Sequence, residues 1–263
     1  MEQMIDWNGK PVEVLRSRGS GVPYVTSWQR NVIRPGSHGW PPSLVKQVRD
    51  RTAQRSWFSA GDAAKLAEEL GVVSMFQSLH SEDALTWSWF GTLALADPEA
   101  RVQTTQWLYD RLGLVASASR DVHIDQWMRV THPHELNSPS GPEVDARVDD
   151  PGQALIYVEA KWRAALGSGK GAGDGEREDQ IVLRRGSMRR DPSLASDANR
   201  LYVVLGVSND IADLTPYDDA AEPALRRVEV RWLRWADLAE CALHPHAEEF
   251  GRYLQWKQQH EGA

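Results

Sequence analysis

Hydrophobic and polar positions alternate with two different periods along this chain, and the pattern predicts a mixed α/β protein. Residues 121–131 and 228–233 alternate with the two-residue period of a strand, while residues 201–207 form a continuous apolar run typical of a buried central strand. Between residues 82 and 95, apolar side chains recur at a spacing of four, which predicts a helix with one buried stripe.

Capping residues predict where two of the helices begin. Ser81 can cap a helix that starts at Glu82, because a serine oxygen accepts hydrogen bonds from the first turn. Asp97 followed by Pro98 predicts the start of the next helix, since proline is tolerated at the first helical position. That helix is expected to end near Gly113, a residue type that readily adopts the left-handed conformation of a helix end.

Residues 140–162 predict a β-hairpin whose open end carries charged side chains. The first strand contains Asp145, and Asp150-Pro151-Gly152 supplies the turn. The second strand is apolar until it reaches Glu159 and Lys161. Side chains two apart share a strand face, so these two charges point the same way. Asp145 and Glu159 lie at a similar distance from the turn, and we expect them to face each other.

Charged groups at the end of a buried hairpin are costly unless something compensates them, and a divalent cation is the simplest compensation. Two converging carboxylates, from Asp145 and Glu159, make a hard-oxygen site suited to Mg²⁺ or Mn²⁺. Lys161 beside that ion could neutralise a phosphate or hold and deprotonate a water molecule. The alternative is a glutamate–lysine pair on an exposed strand with an incidental aspartate.

These residues resemble the PD-(D/E)XK nuclease superfamily. Asp145 matches the metal-binding aspartate of the family's second core strand, and Glu159 and Lys161 match the (D/E)xK of the third. The resemblance covers about residues 80–235 and implies a restriction endonuclease-like core, a central mixed sheet of four to five strands flanked by helices. It also implies that the backbone carbonyl of Ala160 helps to hold the metal.

Two helices extend the resemblance, and one position departs from it. Glu82 lies on the predicted opening helix, where many members place an additional acidic metal ligand. Gln180 lies on the predicted helix after the third strand, where several branches carry a glutamine directed at the metal. The family's proline–aspartate pair is replaced here by a proline followed by Glu143. Glu143 shares a strand face with Asp145, so either could be the first ligand; the register of Asp145 is better.

The resemblance implies a magnesium-dependent nuclease that hydrolyses phosphodiester bonds of DNA, which is favoured over RNA, with endonuclease action favoured. Restriction, phage defence or mobile-element handling would be the setting. A catalytically silent binding or assembly module with the same fold is the alternative. We rank it lower because the helical glutamate, the strand aspartate, the ExK triplet and the helical glutamine are all present. A hydrolase of another phosphoester is a third interpretation, and a homodimer or a partner protein would suit double-strand cutting.

Composition limits the class of protein further. The 263 residues contain one cysteine, Cys241, and no apolar run of membrane-spanning length, so we expect a cytoplasmic protein with no membrane segment. A net charge of −7 argues against a broadly basic nucleic-acid binder. Basic residues nevertheless cluster twice, in the N-terminal segment and after Gln180: Arg16, Arg18, Arg30, Arg34, Lys46, Arg49, Arg51 and Arg55, and then Arg184, Arg185, Arg189 and Arg190.

The positions of proline and glycine, which favour turns and loops, predict the domain organisation. Residues 1–75 are expected to form an N-terminal extension or accessory region, with short strands and a helix over residues 59–70. Residues 76–263 are expected to form the nuclease-like domain. Residues 167–176 are rich in glycine and predict a flexible loop near the substrate.

Overall fold

A computed structural model describes eight stretches of the chain: residues 2–16, 21–33, 75–134, 141–162, 168–170, 177–197, 199–209 and 228–260. The chain divides into two compact units, Met1–Thr92 with His246–Ala263, and Leu93–Pro245. The expected boundary between residues 75 and 76 borders a stretch outside the described residues and stays a prediction. The helix predicted over residues 59–70 also lies outside them.

The first unit contains a three-stranded antiparallel sheet in the order β1-β2-β3. Strands β2 and β3 confirm the short strands predicted near residues 12–15 and 22–25, whereas β1 was not predicted. Asn31 joins this sheet region to the next described segment, because its side-chain amide donates to the carbonyls of Phe76 and Ser78 at 2.7 Å each. Helix α7 belongs to the same unit, and the Tyr253 hydroxyl on it donates to the Asn31 carbonyl at 2.7 Å. The strands are β1 Glu2–Ile5, β2 Pro11–Arg16 and β3 Pro23–Val25, the 3₁₀ turns are Trp28–Arg30 and Met75–Gln77, and α7 is Ala247–Gln259.

The predicted opening helix begins at Glu82, as expected, with the Ser81 hydroxyl accepting a hydrogen bond from the Ala84 N–H at 3.0 Å. It was predicted to continue as one α-helix, but its middle is π-helical. Side-chain hydroxyls compete there for backbone carbonyls: Ser88 donates to the Ala84 carbonyl at 2.7 Å, and Thr92 donates to the Ser88 carbonyl at 2.9 Å. The segments are α1 Glu82–Thr86, the π-helix Trp87–Gly91 and α2 Thr92–Ala94. The division between the two units falls within α2, between Thr92 and Leu93.

The second unit is built on a five-stranded mixed sheet in the order β10-β9-β6-β5-β4. Strands β4, β5 and β6 are antiparallel neighbours, whereas β6, β9 and β10 run parallel. The predicted α/β class with a central mixed sheet flanked by helices is therefore confirmed. The strands are β4 His123–Arg129, β5 Glu143–Asp150, β6 Ala154–Ala160, β9 Leu201–Ser208 and β10 Val228–Arg234, and a separate ribbon pairs β7 Ser168–Lys170 with β8 Arg177–Asp179.

The β7 strand corrects one expectation, since residues 168–170 were predicted as part of a glycine-rich loop; they pair with residues 177–179 instead. Residues 171–176 lie outside the described residues. The predicted caps of α3 are confirmed, because Asp97 accepts hydrogen bonds from the first turn and Gly113 ends the helix with a φ of 69°. The remaining helices of this unit are α3 Pro98–Leu112, α4 Gln180–Arg189, α5 Pro192–Ser196 and α6 Trp235–Ala239.

Helix α4 covers the face of the sheet formed by β6, β9 and β10. Ile181 and Met188 on this helix are fully buried and belong to one apolar cluster with Tyr157, Val204 and Trp232. Every residue of β6 is buried, as expected for a strand with neighbours on both sides and a helix above it. Among the described residues, no helix is long and apolar enough to cross a membrane.

Candidate active site

The predicted hairpin places its two carboxylates on facing strands. Residues Ala146 of β5 and Val158 of β6 are paired, and the same register continued by one residue puts Asp145 opposite Glu159. The turn has the predicted form, with Gly152 at a φ of 73°. The observed pairing ends at Ala146 and Val158, so the prediction that these two acids face each other fits the register and stays a prediction.

Asp145 and the backbone of Ala160 meet at the open end of the hairpin. The Ala160 N–H donates to Oδ2 of Asp145 at 2.7 Å. The next residue turns its backbone the other way, since the Lys161 N–H donates to the Val207 carbonyl of β9 at 2.7 Å. Because strand residues alternate in direction, the Ala160 carbonyl faces the same side as Asp145. Two oxygen atoms of the type that ligates metals, from the Asp145 carboxylate and the Ala160 carbonyl, thus lie on the same side of β6.

Glu159 lies at the centre of a buried group of charges. Its side chain is 1% exposed, and Oε1 lies 3.0 Å from Nζ of Lys161. Oε2 accepts a hydrogen bond from Nε of Arg184 at 2.9 Å, and Nη2 of Arg184 lies 2.8 Å from the same oxygen. Both cations are themselves buried. The charge of Glu159 is therefore compensated from its own strand by Lys161 and from helix α4 by Arg184.

Arg184 belongs to the basic cluster after Gln180, and two of the four arginines of that cluster are buried. Arg184 and Arg185 are 6% and 7% exposed, and Nη2 of Arg185 donates to the Val228 carbonyl at 3.3 Å. Arg189 is half-buried and Arg190 is exposed. Sequence reasoning missed the contact between Arg184 and Glu159. The available signal was spacing, because a residue four positions after Gln180 lies on the same helix face.

Gln180 is the first residue of α4. The Asp179 carboxylate caps the helix by accepting the Ile181 N–H at 2.7 Å, and this fixes where the helix begins. Gln180 is half-buried and lies one turn before Arg184, the residue that reaches Glu159 from this helix. The helix face that carries Gln180 is thus the one directed at the candidate site. Its predicted contact with a metal-bound water stays a prediction.

Two further acids were predicted as ligands, and the structure gives their positions. Glu82 is half-buried in the first turn of α1 and belongs to the first unit, whereas Asp145 and Glu159 belong to the second. Glu143 opens β5 on the same strand face as Asp145. Within the stretches that the structure describes, no group of three or more histidine, cysteine, aspartate or glutamate residues is arranged to hold a metal. The roles of Glu82 and Glu143 stay predictions.

Other polar groups on this sheet face are held in contacts of their own. The Arg147 guanidinium forms an ion pair with Asp149 at 2.5 Å. The Tyr157 hydroxyl donates to the Asp191 carboxylate at 2.8 Å. Burial raises the pKa of Tyr157, and the charge of Asp191 raises it further, so this phenol stays a donor. These neighbours are engaged in structural contacts, which leaves the hairpin end as the candidate site.

The N-terminal basic cluster is described only in part. Arg16 pairs with Glu2 at 3.3 Å, and Arg30 pairs with Asp6 at 2.7 Å. The other six members lie outside the described residues: Arg18, Arg34, Lys46, Arg49, Arg51 and Arg55. The two described arginines are thus engaged with carboxylates of the same unit, and phosphate contact by the cluster stays a prediction.

The donor set at the hairpin end fits a hard divalent cation. Carboxylates of Asp145 and Glu159 and the carbonyl of Ala160 are the oxygen types that Mg²⁺ and Mn²⁺ prefer. Two carboxylates and the two cations Lys161 and Arg184 give a formal charge of zero, so the group is balanced before any ion is added. Glu159 could ligate a metal only by exchanging contacts with one of these cations.

No family model matches this chain, and neither a curated protein nor a solved structure is significantly similar to it. The residues and the geometry of the hairpin end are therefore the basis for assigning a function.

Proposed function

We propose that this protein is a divalent-metal-dependent nuclease of the PD-(D/E)XK type, with DNA favoured over RNA as its substrate. The observation that carries the proposal is a pair of contacts at the open end of one hairpin: the Ala160 N–H donates to Asp145, and Lys161 contacts Glu159. The order of elements supports it as well. In the second unit, the antiparallel strands β4, β5 and β6 come first, then the β7–β8 ribbon and helices α4 and α5, and then the parallel strand β9. A helix after the third core strand is what the resemblance to a restriction endonuclease-like core implies.

Each residue has a role that its chemistry allows. Asp145, Glu159 and the Ala160 carbonyl would hold Mg²⁺, with Mn²⁺ as a substitute. When bound, such an ion would lower the pKa of a water molecule that it ligates and would shield the charge of the scissile phosphate. Lys161 would orient the attacking water. Gln180 would position that water or a phosphate oxygen, and its half-buried place on the α4 face suits either contact.

Lys161 is held firmly for an orienting role. Its N–H donates to the Val207 carbonyl at 2.7 Å, and its own carbonyl accepts a hydrogen bond from Nε1 of Trp235 at 2.8 Å. Its backbone is therefore fixed on both sides, and only side-chain torsions can move the ammonium group. An amine whose starting point is fixed is well placed to hold water in one position.

Replacing Lys161 with alanine tests the proposal. We expect Mg²⁺-dependent cleavage to fall by about 10²-fold or more, the usual contribution of a positioned acid–base group, while thermal unfolding still shows a folded protein. The assay compares circular, linear and single-stranded DNA with RNA, each with and without Mg²⁺. Exposed Lys10 in the first unit gives the control, because Lys10→Ala should retain full activity. Undiminished Mg²⁺-dependent cleavage by Lys161→Ala would refute the assignment.

A catalytically silent binding or assembly module is the second candidate, and one observation favours it. Both carboxylate oxygens of Glu159 are engaged by side-chain cations, Lys161 and Arg184, so the site is balanced as it stands. This candidate predicts no cleavage of any nucleic acid. It also predicts no heat of binding when Mn²⁺ is titrated into the protein.

A further inference from the structure

The Arg184–Glu159 contact has the geometry of a strong ion pair. Nε and Nη2 of Arg184 both reach Oε2, at 2.9 and 2.8 Å, and both side chains are more than nine-tenths buried. Charge-assisted hydrogen bonds of this kind are among the strongest between side chains. Lys161 meanwhile contacts the other oxygen, Oε1, at 3.0 Å.

A divalent cation and this guanidinium cannot share Glu159 unchanged. Mg²⁺ binds oxygen at about 2.1 Å, which is too close to leave room for two N–H donors on the same oxygen. The positive charges also repel each other strongly where little water screens them. Metal binding at Oε2 of Glu159 therefore has to break the contact with Arg184.

Helix α4 is anchored in a way that lets the side chain move alone. Ile181 and Met188 hold the helix in the apolar cluster of the sheet, and the Asp179 carboxylate caps its first turn. Arg184 has several rotatable bonds between this fixed backbone and its guanidinium. The contact with Glu159 can thus be broken by rotation of one side chain, without displacing the helix.

We propose that Arg184 is an exchangeable counter-ion, which neutralises Glu159 before metal binding and gives it up to the divalent cation. The inference rests on the proposed metal-dependent function and adds a regulating residue to the same site. Arg184 is a positioning residue in this scheme, since it acts through Glu159.

The test compares Mn²⁺ affinity and thermal stability in matched variants. Isothermal titration of Mn²⁺ should show binding to Arg184→Met tightened by at least about tenfold, which corresponds to about 1.4 kcal/mol. Without Mn²⁺, Arg184→Met should unfold at a lower temperature, because a buried carboxylate has lost a counter-ion. Added Mn²⁺ should raise its unfolding temperature more than that of the unsubstituted protein.

Arg185→Met is the matched control, because Arg185 is the next residue of α4 and equally buried but donates to a backbone carbonyl instead. We expect it to leave Mn²⁺ affinity unchanged. Arg184→Lys retains the charge and loses the second guanidinium contact with Oε2, so its Mn²⁺ affinity should lie between those of Arg184→Met and the unsubstituted protein. If Arg184→Met does not fold, Arg184→Lys tests the exchange in its place. Combining Glu159→Gln with Arg184→Met should remove the gain in affinity.

The outcomes separate this inference from the proposed function. Equal Mn²⁺ affinity in the unsubstituted protein and both Arg184 variants would overturn the exchange while leaving the metal site in place. No Mn²⁺ binding by any of these proteins would overturn the metal site and the exchange together. Binding by Arg184→Met alone would support the exchange, with Arg184 as a complete block.

Discussion

Replacing Asp150 with alanine should destabilise the protein by about 3–5 kcal/mol. Asp150 is fully buried at the end of β5 and accepts three hydrogen bonds. The Tyr109 hydroxyl and the Ser119 N–H donate to Oδ2 at 3.0 Å each, and the Ser119 hydroxyl donates to Oδ1. Each bond to a charged acceptor contributes about 1.5–3 kcal/mol, and the sum is reduced because water reaches some of the abandoned donors.

The same change should also disturb the candidate site. Asp150 pairs with Ala154 across the turn, and this pairing begins the register that brings Asp145 opposite Glu159. Loss of the turn contacts should therefore loosen the hairpin along its length. We expect Mn²⁺ binding by the folded Asp150→Ala protein to weaken, although residue 150 is five positions from the nearest proposed ligand.

Urea unfolding followed by circular dichroism measures the effect on stability. Tyr109→Phe gives an internal scale, because it removes one of the three donors and should cost about 1–2 kcal/mol. Burial raises the pKa of Tyr109, and the charge of Asp150 raises it further, so the phenol donates throughout the neutral range. A loss below about 1 kcal/mol in Asp150→Ala, with an unchanged denaturant slope, would refute the reasoning.

Two more changes test the packing and the electrostatics. Asp237 caps α6 by accepting a hydrogen bond from the Arg234 N–H at 2.7 Å. The pKa of the Asp237 carboxyl is held well below its usual range, mainly by the Arg234 guanidinium and further by the Arg234 N–H and by Arg111. Asp237→Asn should lower the free energy of unfolding by about 1 kcal/mol at pH 7. In urea unfolding, this difference from the unsubstituted protein should shrink as the pH falls below about 4, because the Asp237 carboxyl is protonated first in the unfolded state. Gly206→Ala should destabilise the protein by about 1–3 kcal/mol in thermal unfolding, because a Cβ at this position would lie 2.2 Å from the Trp232 ring. Gly251→Ala is the helical control and should not destabilise the protein, because a Cβ there would meet nothing within 4 Å.

Local chemistry was sufficient to predict much of the second unit. Asp97 and Gly113 bound α3 as expected, because a cap depends on residues within one turn of it. The hairpin register from Ala146 and Val158 to the turn was predictable in the same way, because it followed from one turn and one apolar strand. The sheet order could be predicted only as a mixed sheet of four to five strands, since pairing of distant strands is not encoded locally.

Two other features were missed, one local and one that joins distant segments. The π-helical segment Trp87–Gly91 breaks the regular period that the four-residue spacing had suggested. The contact between Arg184 and Glu159 joins residues 25 positions apart, on a helix and a strand. No short motif marks it, and a run of arginines is usually a solvated face. A metal was expected to compensate the buried charge of Glu159, whereas the side-chain cations Lys161 and Arg184 compensate it in the structure.

The two cations on Glu159 differ in how they are held, and this difference divides their roles. Lys161 lies two residues along the same strand, and its backbone is fixed by hydrogen bonds to Val207 and from Trp235. Its ammonium group therefore stays near the hairpin end whatever Glu159 binds. Arg184 reaches the same carboxylate from a separate element, through a long side chain. In the proposed exchange, one counter-ion leaves as a divalent cation enters; Arg184, on the separate element, would be the one to go, and Lys161 would remain to orient water.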